Sequence, residues 1–549
     1  MKRCGMPVKP LRPTRLDGLG SKGLNTQASS STLGPEWLTE ASNVVFDFQG
    51  RLGPRRGIKA LSKTVAAPIK SIGEFIKADR TTAYYVGSGS AIYLRDTSTV
   101  PETLTAQSFA SSPQTITDSN WQWVNFNSEF WGIQTGHSPI NLTGTTWTDV
   151  IDLGTYAASA GVTTFDPNCA LGDFGRMWYG GVTEDLGTLY YSDNLIGEKL
   201  NGGAAGVIDL HTVWGQDEIV GLASLMDKII IFGKNNIAIY TGASDPSAMV
   251  LEELIKGIGL AGRDNIVYMG ADLLFLSYEG LQSLSRITQT DGKAPLTDMS
   301  IAVRNTLAFY LSTADLTTIK TVYHKKEGLV ITLVPDSKLA YVFDFSSGQL
   351  PKITTWSFAT APLCGVSTIG GDLIFGSTTY VAKLDGFSEV DITDTTATNA
   401  NQTACEAVNG VWDGSKCWSS TNRLYNYTWS TAWLDLGEPA VTKILKTAYF
   451  SYTGGRGSAT SLSLYVDHDS VTPLIKNFNL APAEDYATYG AADSFYGVSK
   501  FTSKVGPVEY KIPLGRTGKV IKMKMVTEVV GDYSSLVSMT LLTKQGKIR

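Results

Sequence analysis

One phrase, repeated seven times between Pro68 and Gly386, constrains this chain more than any single motif. Each copy is a short apolar strand, a glycine or polar turn and a second strand, and copies return about every 30–50 residues. Ala83-Tyr84-Tyr85-Val86 leads to Ala91-Ile92-Tyr93-Leu94, and Glu129-Phe130-Trp131-Gly132-Ile133 to Pro139-Ile140-Asn141-Leu142. Arg176 to Gly180 leads to Thr188 to Asp193, Lys228 to Gly233 to Ile237 to Tyr240, and Asp272 to Leu276 to Gly280 to Leu284. The last two copies run from Gly328 to Asp344 and from Asp372 to Leu384. One such hairpin cannot bury both faces. Stacking copies around an axis does so, and leaves no long free edge. The fold class expected is all-β, with residues 61–389 forming a β-propeller of roughly six to eight blades. One interruption has a helical period: Thr297 to Leu311 sets Ile301, Leu307, Tyr310 and Leu311 on one face, with Thr297 or Asp298 as cap.

The material changes after the last copy. Residues 390–427 are rich in Thr, Asn, Ala and Ser and read as an insertion or linker. Cys405 and Cys417 lie inside it, separated by Asn409-Gly410 and Asp413-Gly414, and a disulfide could close them as a hairpin. In an oxidising medium that link contributes roughly 3 kcal/mol, and in a cytoplasm both thiols stay reduced. Cys4, Cys169 and Cys364 read as unpaired, the last two as core. From Trp429 the alternation sharpens: Leu462, Leu464 and Val466 share a face, while Ile521, Met523 and Met525 alternate with Lys522 and Lys524. Residues 428–549 are therefore expected to form a C-terminal β-sandwich.

The opening segment is of a third kind. From Leu16 to Ala60 the few large apolar residues are separated by glycine, proline and serine, so the segment gains order by lying along something else. Residues 1–60 are read as an extended N-terminal arm. Its assembly candidates are Leu24, Asn25, Trp37, Arg51, Arg55 and Arg56. Charge is divided in the same way. Residues 1–60 carry ten Lys/Arg against four Asp/Glu, and residues 500–549 ten against three, leaving 26 basic and 44 acidic residues between them. A nucleic-acid reader would carry its cations on one folded face, whereas basic ends on an acidic body suit docking against acidic neighbours.

The arm, with a strand over Ala41 to Phe48, a turn at Gly50 and the pair Arg55-Arg56 before a long β-rich body, resembles the opening of tail nozzle proteins (tail tubular or tail-stabilisation proteins) of short-tailed bacteriophages. Trp433-Leu434-Asp435-Leu436-Gly437 is similar to the entry into the last domain of that family. The resemblance implies a structural virion protein whose copies form a tube that extends the DNA channel and conducts genome ejection. It implies a homohexamer below the head-to-tail adaptor of the portal complex, with tail fibres or tailspikes as further partners. Phage DNA would pass through the lumen without sequence-specific binding, since an acidic wall offers no counterion-release gain. The location implied is the virion tail, after synthesis in the host cytoplasm. Met1-Lys2-Arg3 leads into prolines and not an apolar run, and the most apolar stretch, Ile229 to Phe232, is strand-sized, so no stable membrane insertion is expected.

No catalytic, cofactor or metal site is expected. Gly257-Ile258-Gly259-Leu260-Ala261-Gly262 matches the dinucleotide pattern, with Glu279 beyond it, but an extended segment follows where a helix is required. His137, His211, His324 and His468 lie far apart, without a Cys-x-x-Cys. Thr143-Gly144-Thr145-Thr146-Trp147 has the glycine and tryptophan of a sialidase-type turn, but Leu142 stands in place of the aspartate. The alternative reading is a receptor- or glycan-binding tail propeller using Trp121, Trp123 and Trp131, although strand core accounts for these rings better. A tail-associated polysaccharide-cleaving enzyme, needing only two carboxylates, stands behind it.

Overall fold

The computed structural model describes residues 11–47, 49–109, 114–143, 146–149, 152, 161–289, 298–346, 350–455, 457–480 and 507–546. The chain is mostly β. Each repeated phrase supplies two neighbouring strands of one antiparallel sheet, the middle pair in every copy but the fifth. Sheet 1 holds Ile69–Ile76, Thr82–Ser88, Ala91–Asp96 and Thr103–Ala106; sheet 2 holds Gln122–Phe126, Glu129–Gln134, His137–Thr143 and Thr146–Asp149. Sheet 3 holds Pro167–Asp173, Arg176–Val182, Thr188–Tyr191 and Gly206–Asp209. Sheet 4 holds Ile219–Leu225, Lys228–Gly233, Asn236–Thr241 and Val250–Lys256. Among the described residues sheet 5 has three strands, Ile266–Met269, Asp272–Ser277 and Gly280–Ser283. Sheet 6 holds Lys320–His324, Leu329–Val334, Leu339–Asp344 and Lys352–Ser357, and sheet 7 begins with Cys364–Ser367, Leu373–Gly376 and Val381–Leu384.

Turn chemistry explains the tight hairpins. Asn127-Ser128 and Phe174-Gly175 each place two successive residues at positive φ, the geometry whose twist matches a two-residue hairpin. The first strands touch in order from sheet 1 to 2, 2 to 3, 3 to 4, 5 to 6 and 6 to 7, and sheet 7 returns to sheet 1. Sheets 4 and 5 share a core in which the Phe232 and Phe275 rings lie 5.0 Å apart.

The N-terminal segment joins three sheets. Ile58–Ala60 pairs antiparallel with Val381–Leu384 and completes the fourth row of sheet 7. Gly23–Leu24 lies parallel between Lys352–Ser357 and Trp37–Ser42, and the latter pairs with Tyr425–Thr431. Through these strands sheet 6 continues into Ile521–Val529, Ala459–Val466 and Leu474–Asn479, one ten-stranded sheet in all. A second sheet of Lys443–Gly454, Val508–Gly518 and Ser534–Gln545 takes the arm strands Arg12–Arg15 and Leu52–Pro54. The two layers bury one core, with Leu462, Met523 and Met525 from the first and Leu445, Phe450 and Leu541 from the second. Lys522 and Lys524 stay on the opposite, half-solvated face, as strand alternation requires.

The helix expectation needs correction. A 3-10 turn at Ile301–Val303 precedes the α-helix Arg304–Thr313; Leu307 and Leu311 are buried, but Ile301 is exposed. Asp298 does not cap the helix; it closes a turn by accepting from the Ser300 amide at 2.7 Å. Thr297, Cys4, Gly144 and Thr145 lie outside the described residues. Within 390–427, Glu389–Asp394 pairs with Cys417–Arg423, and Cys405 sits on the short helix Gln402–Ala407 instead of a hairpin strand. Asn401 caps that helix by accepting from the Ala404 amide.

Candidate functional site

Arg55 is the centre of the arm junction and is fully buried. Its Nε donates to Asn43 Oδ1 at 2.9 Å, Nη1 to the Arg56 carbonyl at 2.8 Å, and Nη2 to the Ser357 carbonyl at 2.9 Å and to Glu389 Oε1 at 2.5 Å. The guanidinium lies between the rings of Tyr425 and Phe358, at 4.5 and 5.1 Å. The Tyr425 hydroxyl donates to the Arg55 carbonyl. Asn43 has φ +56°, a conformation asparagine tolerates, and its Nδ2 donates to Ser357 Oγ and the Asn426 carbonyl. One side chain thus ties together the arm, the end of sheet 6, the strand that follows sheet 7 and the ten-stranded sheet. A buried charge is tolerable here because a carboxylate and three oxygen acceptors satisfy it.

The other arm candidates do not converge on one patch. Leu24 is buried, and Trp37 packs half-buried against the same core with Lys22 Nζ 5.7 Å from its ring. Asn25 closes a turn, its Oδ1 accepting from the Gln27 and Ala28 amides. Arg51 pairs with Asp47 at 2.7 Å, and exposed Arg56 with Glu327 at 2.7 Å. Asn43, Glu389 and Tyr425 carry no motif that would mark them beforehand.

Cys405 and Cys417 are joined by a disulfide. Beside it, Asp413 Oδ2 receives Lys63 Nζ at 2.7 Å and Trp418 Nε1 at 2.8 Å. Burial works to raise the Asp413 carboxyl, but these donors and the neighbouring amides hold it well below the usual range.

A second, partly buried charge cluster sits beside the first strands. Arg263 Nε lies 2.9 Å from Asp264 Oδ1, and Lys320 Nζ 3.0 Å from Asp264 Oδ2. Arg263 also donates to the carbonyls of Asn120 and Asn168, and Lys320 to the Lys70 carbonyl and Asn120 Oδ1. The cluster therefore links residues in or just before the first strands of sheets 1, 2, 3, 5 and 6.

Chemistry-bearing groups elsewhere are dispersed. Among the described residues no group of three His, Cys, Asp or Glu is placed to hold a metal. His137 packs on Trp121, His211 pairs with Asp209, His324 bonds the Gly371 carbonyl and His468 lies on Trp433. The 257–262 loop uses the amides of Gly257, Leu260 and Ala261 to bond carbonyls of sheets 4 and 5, so they do not form a phosphate cradle. Trp121 and Trp131 are buried, and Trp123 stacks on Phe130 at 5.1 Å. Among the described residues no helix is long and apolar enough to cross a membrane.

No family model matches this chain, and no curated protein matches it. Solved structures similar to it include the Neurospora crassa Pan2 WD40 domain, 11% identical, with 60% of this chain and 96% of that one covered at a TM-score of 0.36. YCF48 from Cyanidioschyzon merolae is 10% identical, with 60% and 99% covered at 0.36. The Swd1 β-propeller domain of Myceliophteria thermophila is 9% identical, with 59% and 98% covered at 0.35. Its fold neighbours are thus β-propellers and WD40 domains, and likeness at this level says nothing of activity.

Proposed function

We propose that this chain is a structural subunit of a short-tailed phage tail nozzle, built as a seven-bladed β-propeller with a β-sandwich that the N-terminal arm completes. The observation carrying this reading is the ten-stranded sheet that runs from sheet 6 through the arm strands into the C-terminal layers. Main-chain hydrogen bonds across that junction couple the two bodies more firmly than a flexible linker, as a tube wall requires. The cyclic order of first-strand contacts supports seven blades, with Ile58–Ala60 as the outer strand of the last.

In this reading DNA does not thread a single subunit, whose first strands are bridged by the charge cluster at Arg263, Asp264 and Lys320. The lumen lies instead between subunits of a ring. Six copies, an adaptor above, fibres or spikes alongside and DNA within are what the family resemblance adds, and the virion tail is the location that follows. Electron microscopy of the purified chain, alone and with its adaptor–portal complex, tests the reading. Rings with an open centre are expected; monomers under both conditions, at every concentration, overturn it.

A further inference from the structure

The helix Gln402–Ala407 is fastened to the rest of the chain by one covalent bond. Of its residues only Cys405 is buried, and a helix this short does not persist on its own. Among the described residues its side-chain bonding stays local: Gln402 Nε2 donates to Glu406 Oε1 at 2.7 Å, and Asn401 caps the first turn. Val408 and Val411, which follow it, are 49% and 43% exposed, so docking the helix buries little apolar surface. What holds it is the disulfide to Cys417, covered by Gly410, where a Cβ would lie 2.8 and 2.9 Å from the two sulfurs.

The other end of that bond stands on a sheet. Cys417 opens the strand Cys417–Arg423, whose pairing with Glu389–Asp394 runs from Trp418 to Arg423. The Cys417 amide donates to Thr396 Oγ1 at 2.9 Å, and its carbonyl accepts from the Thr395 amide at 2.8 Å. Asp413, in the turn before it, receives Lys63 Nζ at 2.7 Å. None of these bonds needs the sulfurs to be joined. The disulfide thus separates a sheet that stands without it from a helix that does not.

We propose that residues 402–412 form a redox-gated lobe, folded while Cys405 and Cys417 are linked and open once they are reduced. In opening, the S–S bond breaks and each sulfur becomes a thiol, while two thiols of a small-molecule reductant join as a disulfide; closing by an oxidised small-molecule disulfide runs the exchange backwards. The proposal does not rest on the nozzle reading, because the lobe lies within one chain.

The test is hydrogen–deuterium exchange of the full chain, read by mass spectrometry as purified, in excess dithiothreitol, and after reoxidation with oxidised glutathione. The double variant Cys405→Ser/Cys417→Ser serves as a form that cannot close. Exchange across 402–412 should rise about tenfold or more on reduction, return to its starting rate on reoxidation, and stay fast in the double variant. Exchange in Glu389–Asp394 should not change. If the double variant fails to fold, the wild type in its three states decides alone. A bond that dithiothreitol leaves intact in the folded chain, unchanged exchange across 402–412 after reduction, or acceleration that spreads into Glu389–Asp394 overturns the proposal.

Discussion

Glu389 meets Arg55 across 334 residues of chain, at 2.5 Å, with the arginine fully buried. Deleting one member leaves the other charge inside without its partner, which costs about 3–5 kcal/mol for buried pairs. Arg55→Met and Glu389→Gln should each lower unfolding stability by that order, and the double variant by clearly less than the sum. Urea unfolding of the four proteins measures this. Additive effects, or losses below about 1 kcal/mol, would show the pair to be dispensable.

Acid should destabilise the fold in part through the Asp264 cluster. Burial alone would raise the Asp264 carboxyl, but Arg263 and Lys320 pull it well below the usual carboxylate range. A carboxylate depressed in the folded state contributes stability above its unfolded value, near 4, and loses it as pH falls below that value. The denaturation midpoint should therefore vary little with this group from about pH 5 to 8 and fall below about pH 4. Asp264→Asn should weaken that acid-side slope and destabilise at neutral pH, because Arg263 and Lys320 lose their counter-charge. An unchanged acid slope in the variant would assign it to other carboxylates.

These two clusters mark where sequence reading stops. A short apolar run closed by a glycine or polar turn is a local signal, so strands such as Lys228–Gly233 and Asn236–Thr241 were legible from their own residues. Pairing partners were not. Ile58–Ala60 is three residues long and finds Val381–Leu384 across most of the chain, a choice set by the empty edge of sheet 7. Arg55 and Arg56 are adjacent and alike in composition, yet one is buried and the other exposed. Which becomes which depends on Glu389 and Asn43, which no spacing rule connects. The helix after sheet 5 was legible in its Leu307 and Leu311, but its start was not, because a 3-10 turn intervenes and Asp298 serves a turn instead.

The cysteines should separate by accessibility. Burial pushes the Cys169 thiol up to about 12 and the Cys364 thiol up to about 11, so neither supplies thiolate at neutral pH. Alkylation of native protein purified under oxidising conditions should label neither, and unreduced peptide mapping should recover Cys405 linked to Cys417. Free thiols at both linked positions would sink the pairing. Replacing Cys405 and Cys417 together by serine should cost roughly 3 kcal/mol or less under those conditions.

Removing residues 1–60 should do more than impair assembly. The deletion strips the outer strand of sheet 7 and the strands Gly23–Leu24 and Trp37–Ser42 that join sheet 6 to Tyr425–Thr431. Exposed strand edges and an open core would follow, and both favour aggregation. Size-exclusion chromatography should show aggregate or loss of a cooperative transition. A monodisperse, cooperatively unfolding truncation would make the arm an accessory.

Salt tests how the arm contributes to association. As a sequence the arm is basic and the body acidic, so association between copies would be expected to weaken steeply with ionic strength. Folding removes much of that drive. Arg12 pairs with Glu438, Arg15 with Asp17, Lys22 with Glu36, Arg51 with Asp47, Arg55 with Glu389 and Arg56 with Glu327, all within one chain. Cations already matched at home offer little to a neighbour, and exposed pairs are worth only about 0–1 kcal/mol in any case. Self-association measured by sedimentation should therefore change by less than about tenfold between low salt and roughly 0.5 M salt. A larger loss would mean that charges outside these six pairs hold the copies together.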